Sequence, residues 1–233
     1  MPEALRRNLA EAGRILDFAG QGDYVAGHVS ARLPDAPDRF LMKPARIGLE
    51  EMTPENIITV DLAGEKVAGS SPRHNEVFIH SEILRARPDL NTVIHTHAPH
   101  AVVFSSLGKP LLPVSHAGAF FHAGLPVFAE TSGLILTKDL GAAVARCLGG
   151  SGALLLRNHG IVTAAATLEE AVMLALKLED ACKMQLMAEA CAGPRFVSDP
   201  GEAQAKGQWM NRPEQQRGVF DYLLRKIARE RGD

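Results

Sequence analysis

Apolar residues recur at helical spacing over residues 3–19, at Leu5, Leu9, Ile15, Leu16 and Phe18, with arginine and glutamate between them. That spacing predicts an amphipathic helix, stopped at Gly20-Gln21-Gly22. The period then shortens to two. Gly27-His28-Val29-Ser30-Ala31-Arg32-Leu33 enters an alternating strand, and the Pro-Asp-Ala-Pro-Asp run at 34–38 turns into Phe40-Leu41-Met42. Residues 29–42 are thus expected to form a hairpin. Lys43 to Arg46 reads as loop and Thr53 to Asn56 as a turn or short helical piece. Ile57 to Asp61 reads as a strand, closed by a turn at Gly64.

Further along, Val77, Ile79, Ile83 and Leu84 supply the apolar face of a helix from Asn75 to Arg87, with Pro88 just past its end. Thr92, Val93 and Ile94 lead a buried strand, since β-branched residues suit a pleated surface. Pro99 to Leu107 suits a helix, residues 110–130 short strands and connections, and 138–148 another helix. A strand is expected over 153–164. Thr167-Leu-Glu-Glu170 is a capping box that opens a helix running to about residue 191, where Gly193-Pro194 breaks it. A polar, weakly patterned segment then leads at about residue 212 to a last helix, Glu214 to about Arg229. Strands mixed with helices predict an α/β protein. Without repeats or low-complexity linkers, residues 1–233 are expected to form a single domain.

Composition narrows the partners. The 233 residues carry a formal charge of −2 with both signs intermixed, and no basic stripe suggests nucleic acid. Cysteines at 147, 182 and 191 show no Cys-x-x-Cys spacing, which predicts reduced thiols and a cytoplasmic setting. The first ten residues carry charges where a signal peptide needs an apolar core. No apolar run approaches the roughly 18 residues of a membrane span, so a soluble protein without membrane partners is expected.

Candidate chemistry centres on Asn91-Thr-Val-Ile-His95-Thr-His97. On a strand His95 and His97 face the same side, with Thr96 opposite. His159 lies downstream in a His-Gly corner after the apolar run Ala153 to Leu156. Three neutral imidazoles with one open position suit a catalytic Zn²⁺ or a similar divalent ion (Mn²⁺, Co²⁺, Mg²⁺ or Fe²⁺). Each histidine alone would more often be a hydrogen-bonded core residue. Glu76 opens the helix that carries His80; residues four apart share a helix face, so the two should sit together. A carboxylate at a helix start is also explained by the helix dipole. Beside a metal, it becomes a general acid/base. The cations Lys43 and Arg46 sit on one loop, where they could meet an anion or simply solvate it.

In order and spacing these pieces resemble the class II aldolase/adducin family. They are Gly27-His-Val-Ser30, Glu76 with His80, Ala86-Arg-Pro-Asp89, His95-Thr-His97, and Leu155-Leu-Arg-Asn-His-Gly160 followed by a helix. The resemblance covers nearly the whole chain. It implies a three-layer α/β/α fold around a mostly antiparallel sheet, and homo-oligomers, tetramers in the best-known enzymes, with sites at subunit interfaces. It also implies metal ligation by His95, His97 and His159, acid/base work by Glu76, and secondary roles for His116 and for Tyr222 on the C-terminal helix. Sugar-phosphate members carry Gly-Asn at the first corner and Ser-Ser directly before the glutamate. This chain has Gly27-His28 and His74-Asn75 there, so the phosphate-holding groups are missing. His28, Lys43, Arg73, His74 and Arg46 could instead meet a carboxylate, for which arginine is geometrically suited. The Glu76 to His80 segment and Gly27-His-Val-Ser30 resemble the branch of hydroxyaromatic-carboxylate decarboxylases. The expected activity is a metal-dependent carbon–carbon lyase, decarboxylase or aldolase, on a small non-phosphorylated hydroxy- or oxo-carboxylate, with a metal-stabilised enolate. The alternatives are an Fe²⁺-dependent oxygenase on the same fold and a non-catalytic adducin-like scaffold.

Overall fold

The structure, a computed structural model, describes residues 2–231. The N-terminal helix α1 (Pro2–Leu16) continues into a wider π-type turn, Asp17–Gln21, where Gly20 at φ 78° ends the helical path. Strands β1 (His28–Leu33) and β2 (Ala36–Met42) form the expected hairpin. Its turn is tighter than the Pro-Asp-Ala-Pro-Asp run suggested, because Ala36 already pairs with Leu33 beside a bulge at Arg32/Leu33. Strands β3 (Ile58–Asp61) and β4 (Lys66–Ala68) continue the meander.

Helix α2 (Val77–Ala86) starts one residue after Glu76, its cap, and leads to strand β5 (Thr92–Thr96). Next come α3 (Pro99–Ser105) and the short α4 (His116–Ala119), where the sequence suggested loop and Ser115 supplies the cap. Strand β6 (Val127–Phe128) and helix α5 (Lys138–Leu148) follow. The strand expected over 153–164 is two strands, β7 (Ala153–Leu156) and β8 (Gly160–Ala165), folded back on each other. Helix α6 (Leu168–Ala190) shows half of the expected capping box: Thr167 Oγ1 accepts from the Glu170 amide, while the Glu170 carboxylate accepts from Asn211 instead of reaching back. The weakly patterned stretch beyond it contains α7 (Pro200–Met210), which Asp199 caps with Pro200 in the first turn. Helix α8 (Pro213–Arg231) ends the described chain.

Among the described residues the strands form one sheet in the order β4-β3-β2-β1-β5-β8-β7-β6. Every pairing is antiparallel except β6 with β7. Alternation along each strand divides the core in two. Val29, Leu41, Ile94, Leu155 and Ile161 pack under α1, α3, α6 and α8. Phe40, Met42, Val93, Leu154 and Val162 pack under α2 and α5 on the other face. The result is three layers, helices on sheet on helices, with apolar side chains filling both interfaces.

The α2 face also holds the polar groups that matter. Register places His28 opposite His95, and β8 runs along the other edge of β5 with Val162 opposite His95. Buried Arg32 on β1 donates to the carbonyls of Leu84 and Leu90, tying the strand to the end of α2 and the entry to β5. These ties bring the start of α2, the end of β5 and the β7–β8 turn to one place.

Candidate metal centre

His95 is the penultimate residue of β5 and fully buried, while His97 follows directly after the strand. His159 stands in the turn between β7 and β8, after Asn158 at φ 55°. Asparagine is among the few residues that tolerate this left-handed conformation, and the hairpin thereby turns the next side chain toward the end of β5. Glu76, at the start of α2, completes the group. One ligand atom from each of Glu76, His95, His97 and His159 lies within 4.8 Å of every other. Thr96 points to the opposite face, as strand alternation predicts, and its hydroxyl donates to Gln21.

The orientation of the rings is as informative as their closeness. Among the described residues, Nε2 of His95, His97 and His159 is buried in each case without a hydrogen-bond partner. An unpartnered buried polar atom costs on the order of 1–3 kcal/mol, so three sharing one focus call for an external ligand. The remote nitrogens prepare them for one. His95 Nδ1 lies 2.9 Å from the Ile161 carbonyl and His97 Nδ1 2.7 Å from the Asp23 carboxylate. Both partners accept, so each Nδ1 carries the proton and each Nε2 lone pair faces the cluster. The donor set of imidazoles with a nearby carboxylate fits Zn²⁺ and other divalent ions of similar softness.

Electrostatics agrees with neutral imidazoles. Burial, then the neighbouring His159 and His97, pushes the His95 pKa well below its ordinary 6.5. Burial and His97 bring His159 down to about 4. Glu76 moves the other way: burial raises its pKa, partly offset by the Ile135 N–H and by His97. The Glu76 carboxylate accepts from that amide at 2.8 Å and stands 3.6 Å from His159 Nε2 and 3.9 Å from His95 Nε2.

A cleft of about 480 Å³ opens beside Glu76, lined among others by Val25, Arg46, Arg73, His74 and Leu134. Its size is in the range of small-molecule sites. Of the residues expected to meet a carboxylate, Arg73, His74 and Arg46 line this cleft. His28 and Lys43 are fully buried and engaged by protein groups. His28 Nδ1 lies 2.6 Å from His80 Nε2, and Lys43 Nζ donates to the Val25 carbonyl and to His74. His80 also bonds Ser30, so its partners are on β1, whereas the Glu76 carboxylate turns to Ile135. Glu76 and His80 thus hydrogen-bond to different partners, the carboxylate to the Ile135 amide and the ring to His28 and Ser30. His116 is exposed at the start of α4, and Tyr222 on α8 lines a separate hollow with Phe18 and Lys177. Neither lines the cleft within one chain.

Two contributors escaped the sequence pattern. Asp23 and Ile135 lie 74 and 59 residues from the side chains they hold, in loops with no distinguishing spacing.

Comparison with known proteins gives the centre a context. Residues 7–186 match the model of the Class II Aldolase and Adducin N-terminal domain. The chain is 36% identical over 177 residues to Decarboxylase NovR of Streptomyces niveus, covering 75% of this chain and 66% of the relative. It is 35% identical over 173 residues to 4-hydroxy-3-prenylphenylpyruvate oxygenase/4-hydroxy-3-prenylbenzoate synthase of Streptomyces roseochromogenus subsp. oscitans, covering 73% of this chain and 62% of that one. The match to these two relatives thus spans less than two thirds of their length. To 3,4-dihydroxyphthalate decarboxylase of Arthrobacter keyseri it is 30% identical over 203 residues, with 81% and 80% of the chains covered. Among solved structures, L-fuculose 1-phosphate aldolase from Glaciozyma antarctica PI12 superposes with a TM-score of 0.87 at 27% identity, covering 99% of this chain and 90% of that one.

Proposed function

Because the chain belongs to the class II aldolase and adducin family, we propose that it is a divalent-metal-dependent carbon–carbon lyase acting on a small, non-phosphorylated hydroxy- or oxo-carboxylate. The observation that carries this reading is the convergence of three buried, unpartnered Nε2 atoms beside Glu76 at the wall of a cleft. His95, His97 and His159 would hold the ion, with Zn²⁺ first among the candidates. A bound cation supplies a Lewis acid for the electron pair left when a carbon–carbon bond breaks.

The chain's own groups would do the rest. Glu76 stands where it can move a proton, onto the carbon that loses carboxylate in a decarboxylation or off the hydroxyl in an aldol cleavage. Burial favours its acid form, while the Ile135 amide favours the carboxylate. That balance suits a group that must both hold and release a proton. Arg73 and Arg46 offer guanidinium groups at the cleft for a substrate carboxylate. His74, lowered to about 4 by burial and by Lys43, is neutral there and contributes hydrogen bonding rather than charge. Lys43 and His28 act on substrate through the cleft wall they support. His116 and Tyr222 are proposed to serve the cleft of a neighbouring chain in a homo-oligomer, a tetramer by family resemblance.

Relatives named for decarboxylation of a dihydroxyphthalate and for the NovR decarboxylase support the decarboxylase branch. The relative named as an oxygenase supports a second reading, oxygen-dependent chemistry at an iron-loaded centre. A scaffold without chemistry is disfavoured, because it would have no use for a complete donor set. The deciding experiment is a screen of hydroxyaromatic acids against hydroxy-oxo acids with metal-loaded protein, with and without oxygen, following CO₂, carbonyl products and O₂ uptake. Release of CO₂ without O₂ uptake is expected. Turnover that survives complete metal removal would overturn the proposal, and turnover that requires O₂ would replace it with the oxygenase.

A further inference from the structure

We infer that Asp23 is the positioning residue of the centre: its carboxylate fixes the tautomer and angle of His97, and with them the site's affinity for metal. The inference rests on the metal-binding role proposed above and concerns a residue from a loop with no motif of its own.

An ionised carboxylate only accepts, so its Oδ2 at 2.7 Å from His97 Nδ1 requires the proton on that nitrogen. The opposite nitrogen, Nε2, then presents a lone pair, and it is this atom that is buried without a partner. His95 is prepared differently, by the main-chain carbonyl of Ile161. That partner belongs to β8 and carries no net charge. A carboxylate does more, because a negative charge beside the protonated Nδ1 makes the Nε2 lone pair a stronger donor to a metal. The His97 ring stands at 79° to the His95 ring, 5.1 Å between centroids, with its Nδ1 held on the Asp23 carboxylate.

The loop carrying Asp23 is itself fixed. The Ala26 amide donates to the Asp23 carbonyl at 2.8 Å, and Lys43 Nζ donates to the Val25 carbonyl at 3.0 Å. Between them Tyr24 adopts φ 47°, a conformation costly for a residue other than glycine. A plain surface ion pair would contribute about 0–1 kcal/mol and carry no consequence for metal. The buried, metal-facing Nε2 is what separates the two interpretations.

The test compares wild type with Asp23→Ala, Asp23→Asn and His95→Ala. Nitrogen-15 NMR of the metal-free protein reads the His97 tautomer, chelator competition reads zinc affinity, and thermal unfolding without metal controls for folding. Wild-type His97 is expected to carry its proton on Nδ1. Asp23→Ala should weaken zinc binding about 10- to 100-fold while the metal-free melting temperature stays within about 2 °C. Asp23→Asn should recover much of the loss, since a carboxamide oxygen still accepts the same bond. Unchanged zinc affinity in Asp23→Ala, with zinc lost in His95→Ala, would overturn this inference alone. A wild-type protein that takes up no zinc would overturn it together with the proposed function. If Asp23→Ala melts too low to assay, a wild-type His97 protonated on Nε2 still suffices to refute it.

Discussion

Replacing Gly160 with alanine should damage the metal centre although the substitution adds only one methyl group. Gly160 opens β8 directly after His159 and pairs with Leu156 across the β7–β8 hairpin. A Cβ placed there would meet the Thr96 carbonyl oxygen at 2.5 Å, His95 Cε1 at 3.0 Å and His97 Cδ2 at 3.1 Å. Ordinary contact needs roughly 1 Å more room at the carbonyl, where carbon-centred contacts relax near 3.5 Å. That carbonyl is backbone between two proposed ligands, so the strain cannot be absorbed by a flexible side chain. Overpacking of this kind costs about 1–3 kcal/mol, which for a chain of this length lowers the melting temperature by about 2–12 °C. The rings themselves must also move, and zinc affinity should fall at least about 10-fold, the lower end of what losing a group that orients a ligand costs. Differential scanning calorimetry of the metal-free protein and chelator competition measure the two effects separately. Gly218→Ala is the control. It lies on the exposed side of α8, where the added carbon meets nothing within 4 Å beyond its own helix backbone and chain neighbours, and should stabilise by about 0.5–1 kcal/mol. A Gly160→Ala protein with wild-type melting and wild-type zinc affinity would refute the packing argument and the placement of β8 against His95 and His97.

Glu76→Gln should retain metal and fold, since its side-chain oxygen still accepts from the Ile135 amide, yet lose turnover by about 10²- to 10⁴-fold; equal loss of metal would show that the carboxylate is chiefly a ligand. Arg73→Ala should raise KM for a carboxylate substrate about 10- to 100-fold, the worth of a lost charge-assisted hydrogen bond, with kcat changed less; an unchanged KM removes Arg73 from substrate binding. The metal-free protein should lose stability on acidification. Burial holds His80 at about 3 and His74 at about 4 in the folded state, against an ordinary 6.5. Between those values and 6.5 the unfolded chain takes up protons that the folded chain refuses, so stability falls as pH drops. Melting temperatures at pH 5 should lie below those at pH 7.5, and a flat profile would mean these rings are less enclosed than the structure places them.

Much of this protein is determined by short-range information in its sequence. The 138–148 helix, the Thr167 cap and the β1–β2 hairpin follow from periodicity and capping, which act over a few residues. The shared side of His95 and His97 follows from the two-residue repeat of a strand, and their convergence with His159 and Glu76 is realised in the cluster. The His159-Gly160 corner is legible as a corner, but not that the chain folds back there into a second strand: both halves of 153–164 are apolar and buried, and only Arg157-Asn158-His159 interrupts them. Helix α7 was hidden for the opposite reason: few of its residues are buried, so no stripe marks it.

Tertiary structure alone decided how the site is tuned. Asp23 meets His97, Ile135 meets Glu76, and His80 turns to His28 and Ser30 across separations of 74, 59, 52 and 50 residues. Such pairings depend on which strands are neighbours and in what register, and a local pattern of apolar and polar residues carries neither. The same holds for the cleft, which half-buried Arg73 and His74 line while Lys43 is drawn inside to brace the wall. Residue type names the groups able to hold a cation or a carboxylate. Only the packing of the sheet against α2 and α5 sets which of them face one another and which are left with a lone pair to offer.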